Sequence, residues 1–311
     1  MPKPVLIDTD PGVDDALALI LALRSPELSV KAITTVAGNV GVHKCTRNAL
    51  KILQLLRLPQ VPAVAQGASK PLRRRLFTAP EVHGEDGLGG IRWLSPLTTA
   101  KVREHAADII IRCCRTYAGR LTIVAVGPLT NLALAWKKDP SALRKAGRFI
   151  TMGGAFRVPG NTGPVAEFNY FVDPEAAHTF LQSALPITVI PLDVTQQVVL
   201  MRKELEYRAK RRANLVGKAI LDFTRSYMLR HKTTQGFNGG YLHDPLAVAV
   251  AIDDSIIETR RTHVDVETTG TFTRGMTVAD FRMKARSVDP AVAFKIDRDR
   301  FFKLFHERVW L

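Results

Sequence analysis

Residues 8–15 read DTDPGVDD, directly after the apolar triplet Val5-Leu6-Ile7. The triplet suits a short buried strand, and Pro11-Gly12 is a turn signal. From Asp14 to Arg24 the apolar residues recur with helical spacing. The segment therefore reads as a strand, a carboxylate-bearing turn and a helix. Asp8, Asp10, Asp14 and Asp15 repel one another, and without a compensating charge that repulsion raises their pKa values and costs stability. Solvated surface charge is one explanation. The apolar flanks favour the other, a divalent cation. Oxygen-only ligands point to Ca²⁺ or Mg²⁺ and away from zinc.

Similar punctuation recurs downstream. Val30–Ala37 is a β-branched strand ending at Gly38-Asn39, with a helix from about His43 to Leu56. Val61–Ala65 reads as a strand. Leu121–Val126 reads as another, running into GPLTN at 127–131 and a helix. Phe149–Met152 leads to Gly153-Gly154 and a polar loop reaching Tyr170. Ile187–Pro191 ends at Leu192-Asp193. Helices are expected over Lys101–Tyr117 and from Asp173-Pro174 to about Ala184. The Gly-, Pro- and charge-rich connection at 66–99 has the length of a lid or binding loop.

Strands alternating with helices predict an α/β fold. We expect one domain over residues 1–311, with a mostly parallel open, Rossmann-like sheet flanked by helices. Beyond residue 200 the pattern gives extra helices, a loop at 232–243 and a helix from Pro245. Segments 263–268, 276–283 and 291–296 read as a small β extension, and Asp297 to Trp310 as a terminal helix. Each polar cluster follows a strand, so the chemistry should gather beyond the carboxyl ends of the sheet.

Composition narrows the classes. Of 311 residues, 46% are hydrophobic, enough for a substantial core. The start, MPKPVLIDTD, lacks a secretory pattern, and the most apolar windows are too short to span a bilayer. A soluble protein is expected. Cys45, Cys113 and Cys114 are too few and too odd for a disulfide framework, which favours buried thiols and a reducing cytoplasm. The net charge of +15 invites a nucleic-acid reading. Yet RRR at 73–75, RAKRR at 208–212, RR at 260–261 and RMKAR at 282–286 are short and scattered, without a nucleic-acid motif. A solvated basic surface is the favoured reading, with attraction to anionic ligands the weaker one.

An EF-hand is excluded, because a loop starting at Asp8 or Asp10 puts Leu19 or Leu21 where a Glu is required. The DxD after the first strand also resembles the haloacid-dehalogenase-like phosphotransferases, with Asp8 as nucleophile and Mg²⁺ as metal. Pro11-Gly12 stands where that family has small and hydroxyl residues, and its later Lys and acidic motifs are not evident.

The rest of the chain carries a fuller resemblance. VAGNV at 36–40, HGEDGLG at 83–89, GPLTN at 127–131, MGGAF at 152–156, GN with AEFN at 160–169, DPEAA at 173–177 and HDPLA at 243–247 stand in order with DTDPGVDD. Along nearly its whole length the sequence resembles the nucleoside hydrolases, the inosine–uridine-preferring family and its bacterial ribonucleoside relatives.

That resemblance implies Ca²⁺-dependent hydrolysis of the N-glycosidic bond of ribonucleosides, with broad or pyrimidine-leaning base preference. It implies Ca²⁺ held by Asp10, Asp15, Asp244 and the carbonyl of Val126. Asp10 would be the general base and His243 the acid that protonates the leaving base. Asp14, Asn39, Asn161, Glu167 and Asn169 would hold the ribose hydroxyls, with Met152 near the sugar. His83 and Phe168 would border the base, and Asp8 would support the cluster from behind. A homodimer or homotetramer is implied as well. A non-catalytic ribonucleoside-binding protein is the remaining alternative.

Elementary chemistry agrees. Cleaving an N-ribosidic bond builds positive charge on the sugar, which a carboxylate-rich pocket stabilises. A site that pairs ribose hydroxyls rejects sugars lacking them. Bland readings stand beside these: HDP at 243–245 could simply start a helix with Asp244 as cap, and GN or GG pairs usually mark turns. Tyr227 and His231 share a helical face and could reach the base pocket, but packing gives the same pattern.

Overall fold

β1 (Lys3–Thr9) sends its side chains alternately to two cores: Val5 and Ile7 enter one, Leu6 the other. This computed structural model describes residues 1–212 and 214–310. After β1 come α1 (Val13–Arg24), β2 (Leu28–Thr35), α2 (Val42–Leu56), β3 (Ala63–Gln66), α3 (Pro80–His83), β4 (Lys101–Val102) and α4 (Ala106–Thr116). The middle of the chain holds β5 (Thr122–Ala125), α5 (Thr130–Lys138), α6 (Pro140–Leu143), β6 (Arg148–Met152), α7 (Phe168–Val172), α8 (Pro174–Leu181), β7 (Ile187–Ile190) and α9 (Leu192–Thr195). The last part supplies β8 (Val199–Met201), α10 (Arg202–Arg212), α11 (Leu215–Gln235), β9 (Gly239–Tyr241), α12 (His243–Ile252), β10 (Ile257–Arg261), β11 (Asp265–Val266), β12 (Thr277–Val278), β13 (Ala291–Ile296) and α13 (Arg298–Val309).

Nine strands form one sheet in the order β10-β13-β7-β6-β5-β1-β2-β3-β4. Every neighbouring pair is parallel except β10 against β13. Side chains from α1, α2, α11, α12 and α13 build the core on one face, and those from α4, α5, α6 and α8 the core on the other. This is the α/β architecture expected from the alternating pattern.

The sheet explains where the chemistry gathers. β1, β5 and β6 lie side by side at its centre, so Asp10, Val126 and Gly153 emerge next to one another. Opposite them, α12 is buried at all ten positions and packs against α1. Its apolar run LAVAVAI makes that burial favourable. The first turn of α12 is thereby held over the first turn of α1.

Several expected boundaries change. Lys101–Val102 leaves the expected helix to pair with β3, and α4 begins only after His105, whose side chain accepts a hydrogen bond from the N–H of Ala107. The loop expected at 232–243 is shorter. α11 continues to Gln235, where Gly236 at φ 79° ends it, and Gly239–Tyr241 pairs with β8. The β extension divides in two. β11 and β12 form a two-stranded antiparallel ladder, while β13 joins the main sheet parallel to β7. β10, unanticipated, adds the outer edge; four of its five residues are exposed, so no apolar alternation marks it. Asp244 does not cap α12, which starts at His243 with Leu242 in the cap position.

Candidate active site

Asp10 is clamped between two glycines. A Cβ at Gly38 would lie 2.0 Å from its Oδ2, and one at Gly127 would lie 2.6 Å from its Oδ1. Only residues without a side chain let the β2 and β5 turns close on this carboxylate. The backbone N–H of Asn39 donates to Oδ2 at 2.7 Å. Oδ1 is buried and has no hydrogen-bond partner among the described residues.

Asp15 serves a second purpose at the start of α1. Its Oδ2 accepts from the N–H of Gly12 at 3.0 Å and from Asn39 Nδ2 at 3.0 Å. Its Oδ1 accepts from the Thr9 hydroxyl and from the N–H of Asp10. Asp244 enters from α12, and Asp14, Asp15 and Asp244 each offer an oxygen within 4.8 Å of the others. Burial, reinforced by the neighbouring carboxylates, pushes the pKa of Asp10 and of Asp244 far up and that of Asp14 to about 8. Asp15 is also pushed up, chiefly by burial.

Such a cluster is costly for the chain alone. Hard oxygen donors, an unpartnered Asp10 Oδ1 and three converging carboxylates together fit a divalent cation. The expected ligand set named Asp10 with Asp15 and Asp244; the tightest convergence has Asp14 in place of Asp10. The Val126 carbonyl already accepts from Asn169 Nδ2 at 3.0 Å, and its second lone pair remains.

Above the carboxylates lies a cavity of about 480 Å³. Asp14, Asn39, Val126 and Asp244 are part of its lining. Met152, Asn161, Glu167, Phe168, Asn169, His83 and His243 also line it. Asp10 and Asp15 lie buried beneath this lining. Every residue expected at the site is thus in or directly under one cavity.

Some of these residues are already engaged. Glu167 caps α7, taking the N–H groups of Asn169, Tyr170 and Gly154 at 2.8, 3.1 and 3.1 Å. Burial nevertheless pushes its pKa to about 7. Asn161 is exposed at the rim, and its Oδ1 accepts from the N–H of Phe168. Asn169 Nδ2 bridges the carbonyls of Val126 and Met152.

The histidines are neutral groups with defined partners. Burial pushes His83 and His243 down to about pKa 3. His83 Nδ1 accepts from the N–H of Val13 at 3.1 Å, so its proton sits on Nε2. Its 4.0 Å approach to Asp14 is therefore no ion pair. His243 Nδ1 is 2.7 Å from the Thr195 hydroxyl. Tyr227 and His231 do line the cavity. The Tyr227 hydroxyl donates to the Tyr241 carbonyl at 3.0 Å, and His231 Nδ1 lies 2.8 Å from the Tyr227 carbonyl. A carbonyl only accepts, so His231 carries its proton on Nδ1 and leaves Nε2 as an acceptor.

Asp8 points elsewhere. Its Oδ1 accepts from the Thr34 hydroxyl and from Asn131 Nδ2 at 2.8 Å, and it is not among the cavity's lining. Burial raises its pKa to about 7. Other wall residues were not singled out in the sequence: Phe77 in the long connection, Gln196 after α9, Arg230 on α11 and Tyr241 two residues before His243. Tyr241 could have been noticed from its spacing; an aromatic inside a loop such as Phe77 gives no periodicity to read.

Residues 5–303 match the family model described as inosine-uridine preferring nucleoside hydrolase. The chain is 41% identical over 311 residues to the pyrimidine-specific ribonucleoside hydrolase RihA of Salmonella enteritidis PT4 (strain P125109), with 99% of each protein covered. It is 40% identical to the protein of that name from Klebsiella pneumoniae (strain 342), again with 99% of each covered. Among solved structures it resembles the plant nucleoside hydrolase PpNRh1 (TM-score 0.92, 36% identity, 100% of this chain and 99% of that one). It also resembles the purine-preferring ribonucleoside hydrolase from Gardnerella vaginalis (TM-score 0.93, 35% identity, 99% of this chain and 98% of that one).

Proposed function

Because the chain belongs to the inosine-uridine preferring nucleoside hydrolase family and is therefore an N-glycosyl hydrolase, we propose that it is a Ca²⁺-dependent enzyme cleaving ribonucleosides to free base and ribose. Residues 1–311 act as one catalytic domain. Pyrimidine ribosides are the preferred substrates and purine ribosides are accepted. The names of the curated relatives support the first part, and the cavity of about 480 Å³ leaves room for the second. One observation carries the reading: buried carboxylates from two segments over two hundred residues apart converge at the floor of a cavity walled by Asn161, Glu167 and Asn169.

Asp10, Asp15, Asp244 and the Val126 carbonyl would hold the cation. Ca²⁺ bound there supplies positive charge that offsets the carboxylates and makes a nearby water more acidic. Asp10 takes the proton of the attacking water. Asn39 occupies its Oδ2, which leaves Oδ1 as the receiving atom. Asp14, Asn39, Asn161, Glu167 and Asn169 hold the ribose hydroxyls, and Met152 packs beside the sugar. Carboxylates beneath the ring stabilise the positive charge that develops as the C1′–N bond lengthens.

His83 and Phe168 border the base. His243 is the acid for the leaving base: burial holds it neutral at rest, so it must first take up a proton, which it passes to the leaving nitrogen as the base departs. Asp8 fixes the β1 turn from behind. The phosphotransferase reading loses its nucleophile, because Asp8 is bonded to Thr34 and Asn131 away from the cavity. The three buried free cysteines suit a reducing cytoplasm, and a homodimer or homotetramer is the proposed assembly. Among the described residues no helix is long and apolar enough to cross a membrane.

The test is direct. Purified protein is incubated with uridine, cytidine, inosine and p-nitrophenyl riboside. Release of base and free ribose, abolished by a chelator and restored by Ca²⁺, is expected. Tight riboside binding without turnover in Ca²⁺ would overturn the proposal.

A further inference from the structure

The polar cluster that follows β7, Leu192-Asp193, supplies no group to the reaction above. Asp193 is spent on the fold: its carboxylate accepts from the N–H groups of Phe156 and Arg157 at 2.9 and 2.8 Å. The N–H of Leu192 donates to the Gly154 carbonyl at 2.9 Å. These bonds fasten α9 to the loop after β6. Two residues past Asp193, Thr195 ends α9 and is fully buried. Its hydroxyl lies 2.7 Å from His243 Nδ1 and has no other partner among the described residues.

A helical threonine commonly returns its hydroxyl proton to the carbonyl one turn back. Thr46 and Thr224 do so here, donating to the carbonyls of Val42 and Ile220 at 2.8 and 2.6 Å. Thr195 turns its hydroxyl to α12 instead. The backbone holds the two residues together. The N–H of Val198 donates to the Thr195 carbonyl at 3.2 Å, and the Val198 carbonyl accepts at 3.0 Å from the N–H of Leu242, directly before His243. Val199 then pairs with Tyr241 in the β8–β9 ladder. One turn of chain thus joins Thr195 to the strand that delivers His243. His243 and Gln196 line the cavity, and Thr195 does not. Its hydroxyl can therefore reach the reaction only through the imidazole.

We propose that Thr195 is a positioning residue for the acid of the leaving base: it ties His243 Nδ1 to the scaffold and so leaves Nε2 for the substrate. This rests on the hydrolase reading above. A hydroxyl can donate to a bare ring nitrogen and accept from a protonated one. Thr195 therefore holds the ring in one orientation whatever its protonation. The contrast is His231, whose Nδ1 faces the Tyr227 carbonyl, a group that only accepts. In the bond-breaking step the electron pair of the C1′–N bond goes to the base, the water oxygen bonds to C1′, one water proton passes to Asp10, and the base takes its proton from His243 Nε2. A ring free to turn presents that nitrogen less often, and misplaced reacting groups are costly.

The test uses two leaving groups on the full chain in Ca²⁺. Uracil needs a proton as it leaves; p-nitrophenolate is a stable anion and does not. In Thr195→Val, which keeps the shape of the side chain, kcat/KM for uridine should fall about tenfold more than kcat/KM for p-nitrophenyl riboside, part of the usual worth of a positioned acid. Thr195→Ser, which restores the hydroxyl, should return the ratio most of the way to wild type. His243→Ala should split the two substrates further, and adding Thr195→Val to it should leave that ratio unchanged. A ratio taken within one protein sample cancels any loss of folded protein. Equal falls for both substrates in Thr195→Val would overturn the proposal, since Thr195 would then serve the fold alone. A wild-type ratio in Thr195→Val would overturn it too. So would a further fall of the ratio in the double variant, since Thr195 would then act independently of His243. A wild type that cleaves neither riboside would instead remove the hydrolase reading on which the proposal stands.

Discussion

The backbone N–H of Asn39 holds one oxygen of Asp10 at 2.7 Å while the other oxygen of that carboxylate lies buried with no partner. One oxygen is thus tied to the scaffold and the other has no partner among the described residues. Asn39 also donates its side-chain amide to Asp15 and to the Asp10 carbonyl, so a single residue fixes the first turn of the site.

This asymmetry makes Asp10→Asn an informative change. An amide retains shape and can still accept from the Asn39 N–H, but it cannot take a proton. The loss in kcat should be about 10²–10⁴-fold, the usual worth of a positioned base. Far-UV circular dichroism should match the wild type. Wild-type turnover in this variant would remove Asp10 from the role of base.

Asp8 also keeps one buried oxygen, Oδ2, without a partner among the described residues, but its bonds go to residues away from the cavity lining. Its Oδ1 accepts two hydrogen bonds in a fully buried place. Asp8→Ala leaves Thr34 and Asn131 without that acceptor and should cost about 1–3 kcal/mol of stability, the penalty for orphaned buried groups. Riboside hydrolysis should persist at temperatures where the variant is folded. Complete loss in a well-folded sample, together with phosphatase activity in the wild type, would revive Asp8 as a nucleophile.

Stability should depend on pH and on cation together. Burial raises Asp8 and Glu167 to about 7 and Asp14 to about 8, above their unfolded values near 4. Groups raised in this way contribute stability that is present below the unfolded pKa and is lost as pH rises through the folded pKa. The melting temperature of metal-free protein should therefore fall between pH 5 and pH 8. Adding Ca²⁺ at pH 8 to about a hundred times its Kd should restore about 2.7 kcal/mol, a shift on the order of 5 °C. A melting temperature at pH 8 that does not respond to any divalent cation would contradict the cation site.

Much of this was legible because local patterns and distant motifs agreed. DTDPGVDD reads as strand, turn and helix, and the folded chain forms β1 and α1 there. The strand-end rule placed Asn39, Val126 and Met152 on one side of the molecule without any knowledge of contacts. His243 and Asp244 were different. Nothing local brings residue 244 to residue 14; only the motif resemblance joined them, and burial of α12 is the physical means. β10 escaped notice because an edge strand with exposed residues needs no apolar alternation. Phe77 and Arg230 escaped because a cavity wall is assembled by tertiary packing and leaves no period in the sequence.

The contrast between the two walls of the cavity has a consequence for how such an enzyme changes over time. The reacting end hangs on α1 and on α12, a helix with no exposed residue, so nearly every substitution there disturbs the interior. The opposite wall includes Arg230, Thr234 and Gln235 at the exposed end of α11, where surface substitutions cost little. If the base lies against this edge, its preference can drift by inexpensive changes there while the carboxylate end stays locked in the core. Relatives at similar identity that bear pyrimidine-specific and purine-preferring names fit a molecule divided in this way.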